Sequence, residues 1–136
     1  RFDDLAGERG YTPWGHYGQS KLANLLFAKE LARRLAGSRR TANAVHPGVI
    51  KTNLGRHMPS LANLVFGLVG PLVLKTVPQG AATQAYVAVH PSVAGTSGAY
   101  FADCNLATPR ADAEDPALAS RLWEVTEGIV AGLPAR

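Results

Sequence analysis

The chain has one cysteine, Cys104, and one methionine. A lone thiol excludes an internal disulfide framework and a cysteine-rich zinc site, and it fits a reducing, cytoplasmic setting. Charge is sparse: 18% of residues are Asp, Glu, Lys or Arg, against 46% hydrophobic. That balance excludes a disordered chain, because burial of the apolar residues can offset the entropy lost on ordering. The basic excess is small, 14 Lys+Arg against 10 Asp+Glu, or +4, and does not by itself point to nucleic acid. The cluster Arg33, Arg34, Arg39, Arg40 has no interleaved aromatic residue. It reads as positive charge complementing the end of a helix. No apolar run reaches the roughly 18 residues of a membrane span. The 136 residues suit one domain or part of one. The first residue is Arg1 and no signal-peptide pattern follows, so the expectation is a processed start or a piece of a longer protein.

Local patterns outline the elements. Residues 1–16 are rich in Gly, Pro and charge and read as a loop. Leu22, Leu25, Leu26, Ala28, Leu31, Ala32 and Leu35 recur at helical spacing, which predicts a helix from Tyr17 to Ala36 closed by Gly37. On that helix Lys29, Glu30, Arg33 and Arg34 form a stripe expected to face solvent, while the first turns lack a polar stripe and are expected to be buried on most sides. Thr41 to His46 reads as a short buried strand running into Pro47-Gly48. A second helix is expected from about Pro78 to His90, a strand over Gly98 to Ala102, a loop over Asp103 to Asp115, and a closing helix from Pro116 to about Ala131. In that last helix Leu118, Leu122, Trp123, Val125, Ile129 and Val130 are available for packing. Alternating helices and strands predict an α/β fold with a parallel sheet, although two strands are too few for a complete one.

Tyr17 and Lys21 stand four positions apart, so a helix projects them from one face, one turn apart. An ammonium beside a phenol favours the phenolate, and such a tyrosine can pass a proton to or from a carbonyl/alcohol oxygen. Tyr-x-x-x-Lys alone is a weak signal and has a bland reading as a surface helix pair. It gains weight from Ser20 and Asn24 in YGQSKLAN and from HPGVIKT further on, where a Gly-containing turn leaves a strand end. Such turns in parallel sheets accommodate ligands because backbone groups can approach closely. The apolar, glycine-broken tract Leu61 to Leu74 has three readings: a lid over a hydrophobic substrate, a membrane-surface contact, or core.

In these motifs the chain resembles the short-chain dehydrogenase/reductase family over nearly its whole length. YGQSKLANLLFAKEL is similar to the family's catalytic helix, and HPGVIKT to its Pro-Gly-x-x-x-Thr loop. The stretches RFDDL, QGAATQAYVAV, GAYFADCN and RLWEVTE resemble the branch of the retinol dehydrogenases and the WW-domain-containing oxidoreductase. The resemblance implies the C-terminal half of a Rossmann-type, doubly wound parallel sheet flanked by helices. It further implies an oxidoreductase moving hydride between NAD or NADP, the branch favouring NADP, and an apolar alcohol, aldehyde or ketone. By carry-over Tyr17 is the proton donor/acceptor and Lys21 its partner, also holding the nicotinamide ribose. Pro47, Gly48 and Val49 pass along the nicotinamide, with a Val49 backbone group near its carboxamide. Thr52 bonds the carboxamide or a phosphate, and residues 54–77 form the substrate lid. A homodimer and a peripheral membrane contact are compatible with it.

The chain also departs from the family pattern. A family member holds the pyrophosphate on a glycine-rich turn between a first strand and a helix. No such cluster occurs here, and Ser20, inside the helix, cannot replace the family's carbonyl-polarising serine. The expectation is therefore that residues 1–136 are the C-terminal part of a single dinucleotide-binding catalytic domain, a fragment inactive alone. The rival expectation is a truncated, non-catalytic interaction module. His16, His46, His57 and His90 lack metal-ligand spacing, so no metal site is expected. Tyr11, Trp14 and Trp123 read as packing residues and Cys104 as an inert thiol. Tyr100 and Phe101 are adjacent on a strand, so at most one faces the core.

Overall fold

The computed structural model describes residues 1–50 and 74–134. Thr52, His57 and nearly all of the 54–77 and Leu61–Leu74 segments lie outside the described residues. In chain order the elements are α1 (Pro13–Arg34), β1 (Ala44–His46), α2 (Val77–Val89), β2 (Tyr100–Ala102), β3 (Asn105–Leu106) and α3 (Pro116–Ala131). Short 3-10 turns occur at Pro91–Val93 and Ala111–Glu114. The strands form one sheet in the order β1-β2-β3. This is the α/β class that the alternation predicts. Among the described residues no helix is long and apolar enough to cross a membrane.

The chain divides into two compact units. The first comprises Arg1–Ala44, Gly95–Tyr100 and Thr108–Arg136. Here α1 begins four residues before the expected Tyr17, because Pro13 occupies its first turn, where a missing N–H costs nothing and φ is preset. Thr12 makes no side-chain cap bond, and the His16 ring folds back so that its Nδ1 lies 3.1 Å from Thr12 N and 2.9 Å from Thr12 O. The helix stops at Arg34, and Gly37 follows with φ +80°. α3 covers the expected span, its amide ends held by Asp115, whose Oδ1 accepts from Ala117 and Leu118 N–H at 2.9 and 3.2 Å.

α1 packs on α3 and on the Ala111–Glu114 turn around Leu26, Ala113 and Ala119, all buried. Phe27 stacks on Trp123, centroids 5.1 Å apart. Ile129 and Val130, expected to pack, are exposed at the far end of α3. Two further expectations are corrected. Glu30 is 1% exposed rather than part of a solvated stripe, and the first turns of α1 are open, with Trp14 86% and Tyr17 58% exposed. The reason is positional: within this unit the 3-10 turn and α3 meet the C-terminal half of α1, at residues such as Phe27, Lys29 and Arg34. Tyr11 is likewise exposed, stacked on His16 rather than on a core.

In the same unit the approach to the sheet is stitched by Asn43. Its Nδ2 donates to Thr96 O at 2.7 Å and its Oδ1 accepts the Ala99 N–H at 3.0 Å. The backbone bonds Gly98 N to Ala42 O and Ala44 N to Ala99 O advance together along both segments, the sense of a parallel pair.

The second unit comprises Val45–Ala94 and Phe101–Ala107. β2 and β3 pair antiparallel, Phe101 with Leu106 and Ala102 with Asn105. Asp103 and Cys104 join them with φ of 52° and 59°, the left-handed pair a two-residue hairpin turn demands. The expected loop from Asp103 to Asp115 therefore contains a hairpin and a 3-10 turn. Neither carries a period long enough to read. Phe101 is buried, edge-on to Tyr86 at 6.5 Å. α2 starts with a reciprocal box: Thr76 Oγ1 accepts the Gln79 N–H and Gln79 Oε1 accepts the Thr76 N–H. It ends at His90, whose Nδ1 meets Ser92 Oγ at 2.7 Å, with Tyr86 Oη on the same hydroxyl at 2.8 Å.

Candidate functional site

Tyr17 and Lys21 stand one turn apart in the N-terminal half of α1, both exposed. The Lys21 ammonium lies 5.2 Å from the Tyr17 ring centroid, over its face, and Trp14 meets the same ring edge-on at 6.4 Å. The pair predicted from the four-residue spacing is thus assembled. No hydrogen-bond partner takes the Tyr17 hydroxyl among the described residues, so the phenol oxygen is available to a ligand. Ser20 is committed elsewhere: its Oγ donates to the Tyr17 carbonyl at 2.8 Å, within the helix. The arrangement offers a hydroxyl able to give or take a proton and a fixed positive charge one turn away.

In the other unit, Pro47, Gly48 and Val49 form a turn directly after β1. Gly48 has φ +82°, which disfavours any side chain, and Val49 is exposed. The Val49 carbonyl accepts the Lys75 N–H at 2.8 Å, and Ile50 and Lys75 form a parallel bridge. The turn rests on α2 through Gly80, where a Cβ would intrude on the Ile50 side chain. Lys75 and Gly80 escape a reading by motif because each acts through a contact distant in sequence.

The other half of α1 carries a different kind of cluster. Arg33 donates to both Glu30 oxygens, Nε to Oε2 at 2.8 Å and Nη2 to Oε1 at 2.6 Å, and Arg34 Nε adds a third bond at 2.7 Å. The Arg33 hydrogen bonds, with Arg34 behind them, hold the Glu30 carboxyl at a pKa of about 2 against the opposing pull of burial. Arg34 also lies 4.5 Å over Trp123, and Lys29 pairs with Glu114 at 2.6 Å. A cavity of about 370 Å³ opens beside this cluster, lined by Lys29, Glu30, Arg33, Gly98, Glu114 and Ala119. Its charged walls are already paired, so the cluster is framework. Sequence spacing places these residues on one stripe but shows neither their pairing nor the burial of Glu30.

No protein-family model matches the chain. Retinol dehydrogenase 14 of Mus musculus is 46% identical over 131 residues, 95% of this chain and 39% of that protein. The short-chain dehydrogenase TIC 32 B, chloroplastic, of Brassica napus is 45% identical over 135 residues, 98% of this chain and 42% of that protein. The chain thus spans about two-fifths of the length of the curated relatives it matches. Among solved structures, an uncharacterised protein from Mycobacterium paratuberculosis superposes with a TM-score of 0.70 at 30% identity, over 96% of this chain and 44% of that one. The helices and sheet accordingly represent part of a Rossmann-type α/β fold. The chain belongs to the short-chain dehydrogenase/reductase family, in its retinol dehydrogenase-like branch, and corresponds to the C-terminal part of that family's fold.

Proposed function

We propose that residues 1–136 are the C-terminal part of a single dinucleotide-binding catalytic domain whose whole protein is an NAD(P)-dependent oxidoreductase acting on an apolar alcohol, aldehyde or ketone. The observation that carries this reading is the exposed Tyr17 hydroxyl with the Lys21 ammonium across its ring, on a chain whose relatives include retinol dehydrogenases. Tyr17 gives its proton to a carbonyl oxygen during reduction and takes one from the alcohol during oxidation. Lys21 stabilises the negative charge that develops on the phenol oxygen and donates to ribose hydroxyls. A nicotinamide cofactor, when bound, supplies or accepts the hydride.

The donor set suits the nicotinamide end of such a cofactor. The Val49 carbonyl is taken by Lys75 and no acceptor takes the Val49 N–H among the described residues, which leaves it to address a carboxamide oxygen, and Gly48 adds no side chain of its own to the turn. The roles that the resemblance implies for Thr52, a cofactor contact, and for residues 54–77, a substrate lid, fall on residues nearly all outside the described ones.

The test follows NADH or NADPH absorbance as the whole protein, of which residues 1–136 are a part on this reading, meets apolar alcohols and aldehydes, with Tyr17→Phe as the comparison. Cofactor-dependent turnover that vanishes in Tyr17→Phe is the expected result. A protein that neither binds NADH or NADPH nor turns over any such substrate rejects the reading and leaves an interaction module.

A further inference from the structure

We infer that Lys75 is a positioning residue for the Pro47-Gly48-Val49 turn, a role that rests on the reading of this turn as the nicotinamide loop. The observations all fall within one compact unit. The Lys75 backbone is tied to the turn by its N–H, which donates to Val49 O at 2.8 Å. Its side chain then runs back over the turn. A Cβ built on Gly48 would lie 2.7 Å from Lys75 Cδ and 2.8 Å from Cε and Nζ. The ammonium at the end of that stem donates to Asp103 Oδ1.

Each contact removes a freedom of the turn. The bond to Val49 O sets the peptide plane between Val49 and Ile50, and hence the direction of the carbonyl. The stem fills the space that the missing Cβ leaves over Gly48, so the glycine is required twice, for its φ of +82° and for this close approach. Asp103 is itself anchored: its neighbour Cys104 donates its N–H to Thr83 Oγ1 at 3.3 Å, and Thr83, on α2, is 1% exposed. A continuous chain of contacts runs from α2 through the β2–β3 turn and Lys75 to the backbone of Gly48 and Val49. A slim stem with a compact charge suits this path better than a planar guanidinium. Because the Asp103 side chain is 68% exposed, the ion pair carries the smaller share and the stem the larger.

The experiment measures cofactor KM and kcat in the naturally expressed protein for wild type, Lys75→Met, Lys75→Ala, Asp103→Asn and the Lys75→Met/Asp103→Asn double variant. Lys75→Met keeps a stem and loses the ammonium; KM should rise about threefold to fivefold. Lys75→Ala removes both, and KM should rise about tenfold, with kcat within about twofold throughout. The double variant should be no worse than Lys75→Met alone, because both substitutions break one contact. An unchanged KM in Lys75→Ala, a fall in kcat at constant KM, or additive effects in the double variant overturns the role. Hydrogen exchange at the residue-75 amide reads the turn without cofactor: faster exchange in Lys75→Ala supports the role and unchanged protection overturns it. If the wild type shows no cofactor-dependent turnover, the oxidoreductase reading fails, and this exchange measurement alone decides the positioning role.

Discussion

The two halves of α1 carry the same kind of pair at the same spacing and put it to opposite use. Tyr17 and Lys21, at i and i+4, stand in the open with the phenol oxygen unengaged among the described residues, whereas Glu30 and Arg34, also at i and i+4, form a closed cluster around a carboxylate that is 1% exposed. In the first half the ammonium meets a ring face and the hydroxyl is available to a ligand. In the second, three hydrogen bonds from two guanidinium groups consume the carboxylate. Exposed polar groups with unspent bonding capacity are where chemistry can occur, while buried, saturated ones hold elements together.

Substitution should separate the two halves. The largest effect is expected from Tyr17→Phe, which removes the proposed proton donor. Turnover should fall about 100-fold or more, with cofactor affinity and the thermal midpoint nearly unchanged. Steady-state kinetics beside a calorimetric scan would check this, and a loss of stability equal to that of a core variant would erase the contrast. Glu30→Ala should do the reverse. It removes the partner of two guanidinium groups at the α1–α3 packing, with a cost of about 3 kcal/mol in urea unfolding, while kcat at low temperature stays near wild type.

The acid response sharpens the same contrast. The Glu30 carboxyl titrates at about 2 when folded, against the ordinary value of 4.5. Between those pH values the unfolded chain binds a proton that the folded chain refuses. Its contribution is therefore full above about 4.5 and is lost as pH falls toward about 2. Glu30→Gln should flatten that part of the decline in unfolding free energy; an identical pH profile would deny the cluster its role.

A smaller effect probes the second unit. Gly80→Ala, normally favourable inside a helix, should cost about 1–2 kcal/mol here because the new methyl group meets Ile50. Thermal unfolding reads it, and a stabilised variant would show that the turn after β1 does not rest on α2. Thr76→Ala, which opens the capping box of α2, should cost only about 1 kcal/mol.

Much of the fold was legible before any coordinates. α3 occupies its predicted span, and α2 begins and ends within a residue of the expected Pro78 and His90, because caps and prolines are local signals. The start of α1 lies before the expected Tyr17 because Pro13, set among glycine and charge that signal a loop, serves as a first helical residue. The β2–β3 hairpin is not legible in the sequence because its turn residues, Asp103 and Cys104, reach the left-handed region without a glycine to announce it. The resemblance names Tyr17 and Lys21 on α1 and Pro47, Gly48 and Val49 in the turn after β1, whereas Lys75 and Asp103 lie far along the chain from the turn they contact.

Sequence by itself determined which residues share a helix face, where proline and capping side chains begin a helix, and which family the chain resembles, because each depends on neighbours a few positions away. Only the tertiary structure decided that Glu30 is sealed while Tyr17 is open, and that Lys75 lies across Gly48. Burial and close approach depend on elements far apart in the chain meeting in space, and the spacing of residues along one helix carries no record of what packs against it.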